Sequence, residues 1–254
     1  IFGSRGLGDV YKRQVQDLIP ISKNSNSSML SRHDALEKFN SFNPALYAKT
    51  RNFLNGQISR LSAHIKYGII TNKELYQYIR DKYNFVESEK FIQELAWRDF
   101  WRSYAYHHPD QLWTDVEEYK TGFQAQEYQD NLPEDVMSAT TPTQIINIFI
   151  EQLTSTGYLH NHARMYLASY IIHFRRVKWQ AGAKFFMSHL LDGDIASNNF
   201  SWQWIASTFA GKPYIFNLEN VHKYCHRSID IIPEKNREID GSYEEISSRL
   251  FPNL

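Results

Sequence analysis

Apolar residues return at helical spacing through most of this chain. In TQIINIFIEQL, Ile145, Phe149 and Leu153 fall at i, i+4 and i+8, the signature of one buried helix face. Leu167, Ile171 and Phe174 share one side of another run, over about 159–175. Start signals accompany these faces. Thr71 followed three residues later by Glu74 is a capping box ahead of ELYQYIRDKY. Ser88 leads EKFIQELAWRDFWRSYAYHH, acidic at its start and rich in His at its end, as the helix dipole favours. Thr141-Pro142-Thr143-Gln144 reads as a cap with proline at the first helical position. Alternating strand patterns between Gly/Asn turns are absent. The pattern predicts an all-α fold from about residue 33 onward, with about ten helices of average length.

The chain before that point has a different character. IFGSRGLGDVYKRQ has no helical face, and DVYKRQ reads as a translated transposon end, so residues 1–14 are expected to be foreign to the fold. Residues 15–32, which include the Ser/Asn-rich SKNSNSSMLSR, are expected to be a flexible lead-in. Residues 33–254 then form one domain, and no internal repeat divides them.

Composition changes the picture in three ways. Aromatics reach 15%, with six Trp, sixteen Tyr and sixteen Phe. That suits either an aromatic-rich core or a site that stacks against flat rings. The formal net charge is zero, whereas a sequence-independent nucleic-acid binder carries a basic excess, so any DNA face must be a local patch. Lys49, Arg51, His162, Arg175 and Arg176 form such a rim or are simply solvated charges. The lone Cys225 excludes an intrachain disulfide and a multi-Cys metal site. His-Asn-His at 160–162 has no further paired ligands, so no metal is expected. No run of about 18 apolar residues suggests a membrane span, and no signal-peptide pattern opens the chain, which leaves the cytoplasm as the default compartment.

Three segments carry candidate chemistry: ISRLSAHIKYG at 58–68, ELAWRDFWR at 94–102, and the stretch from YLHNHARM to LLDGDIASNNFSWQW between 158 and 204. Asp192 and Asp194 follow the apolar Phe185, Phe186, Leu190 and Leu191. They are either a solvated turn or buried carboxylates in need of donors, with Arg164 a candidate. Trp202 and Trp204, two apart, point to different sides of a helix.

Taken in order and spacing, SRLS, ELxWRxFxR, TGYLHNxxRM and DGDxAxNNxxWQW resemble the FAD-binding domain of the DNA photolyase/cryptochrome family. FNLENVHKY at 216–224 and LFPNL at 250–254 extend the likeness to about residues 35–254. The resemblance implies a multi-helix fold around a folded-over FAD. By similarity, Tyr47 and the turn Ser59, Arg60, Leu61, Ser62 lie near the pyrophosphate, with Ile58 where the family usually has Thr. Phe91, where Trp is common, and Arg98 line the flavin cavity. Asp192 and Asp194 touch the flavin edge and the sugar, Arg164 pairs with Asp192, and Asn198 faces the reactive ring nitrogen. Photolyases carry Asn there and plant-type cryptochromes tend to carry Asp. Glu94, Trp97, Asn161, Met165 and Trp204 match the pocket for a cyclobutane pyrimidine dimer. Trp202 and Trp179 match an electron relay whose third member is Trp113, Tyr119 or Tyr128.

The implied function is light-driven, FAD-dependent repair of cyclobutane dimers in DNA by electron transfer to a flipped-out lesion. The alternatives are a cryptochrome-like photoreceptor without repair, or a part that needs a separately encoded half. The family's N-terminal antenna domain is not in this sequence, so a separately encoded antenna is a candidate partner, and a monomer is expected. Asn147 stands where the family usually has Asp.

Overall fold

The computed structural model describes residues 30–254. The expectation for residues 1–14, and for the lead-in up to Met29, lies outside the described residues. The described residues form twelve α-helices. They are α1 (Arg32–Asn40), α2 (Pro44–Thr50), α3 (Ser62–Lys66), α4 (Asn72–Lys82), α5 (Phe85–His107), α6 (Glu134–Met137), α7 (Gln144–Thr156), α8 (Asn161–Ser169), α9 (Trp179–His189), α10 (Ile195–Ala206), α11 (Leu218–Cys225) and α12 (Tyr243–Leu250). A single bridge, Gln129 to Val177, is the only β pairing among them. The fold is all-α. It has more helices than average lengths imply because several are only one or two turns long.

Local chemistry sets the helix ends. Ser31 caps α1 by accepting from Asp34 N, so the helix starts at Arg32, one residue ahead of the expected start of the domain. The Thr71/Glu74 capping box is present at α4. Two expected starts shift. Helix α5 begins before Ser88, because Asn84 caps it by accepting from Glu87 N. Ser88 is instead buried, and its Oγ donates to Asn84 O at 2.7 Å. Helix α7 begins at Gln144 rather than at Pro142. The Asn147 side chain explains this: its Nδ2 donates to Thr141 O and its Oδ1 accepts from Thr141 N, both at 2.8 Å, which closes Thr141-Pro142 as a turn. An aspartate could make only the second of these bonds. The run expected over 159–175 is α8 followed by a π-helical turn, Tyr170–Phe174.

The helical faces read from the sequence point inward. Ile145, Phe149 and Leu153 of α7 are buried with Leu167 and Ile171 in the largest core cluster. A second cluster joins α1, α4 and the first half of α5 through Phe39, Leu75, Ile79, Phe91 and Leu95. A third joins the last half of α5 to α10 through Trp101, Ala105, Ile195, Ala196 and Phe200. Helix α5, 23 residues and therefore about 35 Å long, is the beam that connects the second and third clusters. The main cavity opens beside its middle.

Candidate functional site

A cavity of about 300 Å³ lies among α2, the α2–α3 loop, α5, α8 and the start of α10. Two turns are joined to build its floor. Gly157 ends α7 at φ 68°, the left-handed conformation that glycine adopts without penalty. Its carbonyl accepts from Leu191 N at 2.9 Å, and a Cβ at this position would meet Leu191 Cγ at 2.7 Å. This contact sets the start of α8 against the Asp192-Gly193-Asp194 turn. Arg164 then reaches Asp192, its Nη2 donating to both carboxylate oxygens at 2.9 and 2.8 Å. The solvated-turn alternative is therefore excluded, since Asp192 is 6% exposed and Asp194 7%. Burial pushes both carboxyls up, but Arg164 at Asp192 and Arg102 at Asp194 overcome it and hold both below the usual carboxylate range.

The same wall carries donors without a protein partner. Arg98 Nη1, Ser197 Oγ and Trp202 Nε1 are buried, unpaired in the protein, and belong to residues lining the cavity. Buried donors are normally satisfied, so these three mark where a polar ligand belongs. The α2–α3 loop supplies Ser59 and Arg60 to the lining, and the first residue of α3 supplies Ser62. Arg60 sits at φ 53°, a left-handed conformation that costs a side-chain-bearing residue energy and is concentrated at functional sites. Tyr47 lines the wall from α2, with its phenol pushed up to about 12 by burial, and so stays a donor. Phe91 lies edge-on to it at 5.6 Å. Asn198 lines the wall from α10, and its Nδ2 donates to Ala183 O at 3.1 Å, which fixes the amide plane.

On the mouth side, Glu94, Asn161 and Met165 line the cavity. Glu94 Oε1 accepts from Arg51 Nη1 at 2.9 Å and lies 3.0 Å from Lys90 Nζ. Three expected residues are not on the wall. Leu61 is fully buried in the second core cluster, as its apolar side chain at the start of α3 dictates. Trp97 is 50% exposed and stacks on Trp101, beside Glu94 at the solvent edge of the α5 face and not on the cavity wall. Trp204 is 42% exposed and packs on Tyr214.

Trp202 does line the cavity, and its ring lies on Gly182, where a Cβ would approach it to 2.2 Å. Trp179, one turn earlier on α9, is fully buried and donates from Nε1 to Asp115 Oδ1 at 2.6 Å. Of the three candidates for a next ring, Trp113 lies parallel to Trp179 at 6.3 Å, whereas Tyr119 and Tyr128 stack on each other at 4.3 Å. The expected basic rim does not assemble here. Arg51 is on the wall, but Arg175 pairs with Asp135, Arg176 lies over the Phe123 ring, and His162 is buried.

Sequence reasoning missed three contributors. Tyr158 lines the cavity, with the Arg60 and Arg164 guanidinium groups each 5.9 Å from its ring centre. Lys66, at the end of α3, adds positive charge facing Asp194. Arg102 Nε and Nη2 both donate to Asp194 Oδ2, at 3.2 and 3.0 Å. Its spacing of four from Arg98 puts it on the same helical face, but nothing local in the sequence pairs it with Asp194.

Comparison with known proteins places the chain by family and fold. The family described as the FAD binding domain of DNA photolyase matches residues 91–230. A deoxyribodipyrimidine photo-lyase of Streptomyces griseus is 34% identical over 150 residues, covering 59% of this chain and 32% of that protein. One from Neurospora crassa is 33% identical over 203 residues, covering 74% and 32%. The chain thus spans about a third of the length of these curated relatives. Among solved structures, an archaeal photolyase from Sulfolobus tokodaii with two FAD molecules superposes with a TM-score of 0.65 at 26% identity, covering 87% of this chain and 49% of that one. A cryptochrome from Synechocystis shares the fold at a TM-score of 0.65 and 22% identity, covering 81% and 46%. With the family match spanning more than half its residues, this chain belongs to the FAD-binding domain family of the DNA photolyases.

Proposed function

We propose that this domain holds FAD in the central cavity and uses it, under light, to split cyclobutane pyrimidine dimers in DNA. The observation that carries the reading is the wall itself: two buried, ionised carboxylates beside the unpaired donors of Arg98, Ser197 and Trp202. A flavin nucleotide offers acceptors for such donors and ring N–H and hydroxyl donors for such carboxylates. When bound, FAD supplies a light-absorbing centre that gives up and takes back one electron.

The chain's own residues divide the remaining work. Arg164 keeps Asp192 anionic and aimed at the cavity, ready to accept from a ring N–H. Arg98, whose pKa burial lowers, gains a partner for Nη1 when a polar ligand enters. Asn198 presents a fixed amide to the ligand. At the mouth, Glu94 is positioned by Arg51 to accept from a pyrimidine imide N–H, while Met165 moulds to the saturated rings. The exposed Trp97 and Trp204, on the two helices flanking the cavity, act outside the wall, where an extruded base would stack. Trp202 on the wall and the stacked Trp179–Trp113 pair are the indoles for an electron relay, with the Asp115 carboxylate stabilising positive charge on Trp179.

The test is repair of a thymine-dimer oligonucleotide by purified, FAD-loaded and reduced protein, with a dark control. Repair is expected in the light only. Glu94→Ala should keep FAD and lesion binding but slow repair by about tenfold or more, the scale of one lost transition-state hydrogen bond. Trp204→Ala should weaken lesion binding. Full FAD loading with light-driven flavin reduction but no repair would overturn the repair reading in favour of a photoreceptor.

A further inference from the structure

Arg102 stands one helical turn beyond Arg98 on α5, behind the cavity wall rather than on it. Its side chain is 41% exposed. Two of its nitrogens grip Asp194 Oδ2, at 3.2 and 3.0 Å. The other oxygen, Oδ1, accepts from Ser197 N at 3.1 Å in the first turn of α10. Asp194 is therefore held from two helices while it lines the cavity. We propose that Arg102 is a positioning residue for the cofactor, fixing Asp194 as an ionised acceptor, in one orientation, for a hydroxyl or ring N–H of FAD. This rests on the reading of the cavity as the FAD site and extends it to a residue that does not touch the ligand.

The groups facing Asp194 identify Arg102 as the controlling one. Arg98 and Arg102 approach from α5 and Lys66 from α3. Asp192 lies across Gly193 in the same turn, and its partner Arg164 comes from α8, with Nη2 engaged on both of its oxygens. Among the described residues, only Arg102 donates side-chain hydrogen bonds to Asp194. Arg98 and Lys66 act on it through space. Burial pushes the Asp194 carboxyl up, and Arg102 is first among the groups that bring it below the usual range. Without Arg102, burial is opposed only by Ser197 N and by charges that lie farther off. The acid then moves up toward neutral pH and is freer to rotate.

The test is FAD binding in the dark, by titration of the apoprotein from pH 5.5 to 8, which involves no turnover. In the protein as it stands, affinity should be flat over this range. Arg102→Met should weaken it about tenfold at pH 8, the scale of hydrogen bonds to a charged group, and progressively more as pH falls. Arg102→Lys should restore a flat profile. Asp194→Asn should be weak at every pH, and adding Arg102→Met to it should cost nothing more. If the two losses multiply in the double variant, or if Arg102→Met leaves a flat profile, Arg102 does not act through Asp194 and the proposal is overturned. Should Arg102→Met fail to fold, Arg102→Gln is carried through the same cycle and read in the same way. Failure of the unaltered protein to bind FAD overturns the cavity reading itself, a distinct outcome.

Discussion

A carboxylate leaves water only if something repays the loss, and the two aspartates of this site do so differently. Both oxygens of Asp192 accept from a single nitrogen of Arg164, itself only 22% exposed, with the Ser62 hydroxyl and the Arg98 charge as lesser supports. Removing that arginine strands a buried charge. Arg164→Met should destabilise the apoprotein by about 3–5 kcal/mol, and Asp192→Asn in the same chain should recover a large part of it. Chemical denaturation of the three variants measures this. An undiminished Arg164→Met protein would mean that Asp192 finds other donors. The Arg164–Asp192 pair was legible only through the family resemblance, since the residues alone left a solvated turn open and made Arg164 one candidate donor. Arg102 was not, because several basic side chains compete on paper and only the crossing of α5 and α10 selects one of them.

At the scale of elements, the site depends on helices approaching closely at small residues. Gly182 on α9 is one such point, since the Trp202 ring of α10 lies where a Cβ would stand, 2.2 Å away. Neither ring nor helix can yield without moving Trp202, which is 2% exposed. Gly182→Ala should therefore cost about 1–3 kcal/mol despite alanine's better helix propensity. It should also weaken FAD binding, because Trp202 is part of the wall. Thermal melts and FAD titration check the two effects, and a more stable variant would show that α9 and α10 can part freely. The helices themselves were readable from periodicity and caps. Their first residues were less so: Ser88 and Pro142 both looked like starts, but Asn84 offered an earlier cap and Asn147 folded the Thr141 turn shut.

The whole molecule carries a pH dependence built from buried imidazoles. His160, His162 and His173 are 4%, 7% and 2% exposed, and burial first of all pushes each down to about 4. His160 Nδ1 accepts from His162 N to cap α8, a bond that protonation removes. In the unfolded chain these groups titrate near 6.5, so between about 6.5 and 4 the unfolded state binds more protons. Stability should be full above pH 6.5 and decline as pH falls toward 4, by roughly 3 kcal/mol per histidine at most. Asp192 and Asp194, held low by their arginines, add a further loss at lower pH. Melting temperatures from pH 4.5 to 8 test this. A flat profile down to pH 5 would mean that the rings reach water or find acceptors.

The sequence by itself determined the helical class, the faces that form the core, and the segments that make the cavity, because periodicity, capping and the ordered motifs are local properties. Its family resemblance also paired Asp192 with Arg164. Which side chains reach the wall was decided only by tertiary structure. Leu61 and Trp97 sit inside motif segments yet face a core cluster and solvent, because a helix turns each successive residue by about 100° and packing chooses which direction is inward. Arg102 became a partner of Asp194, and Trp113 a neighbour of Trp179, through contacts between residues more than 60 positions apart, a pairing that no local pattern records.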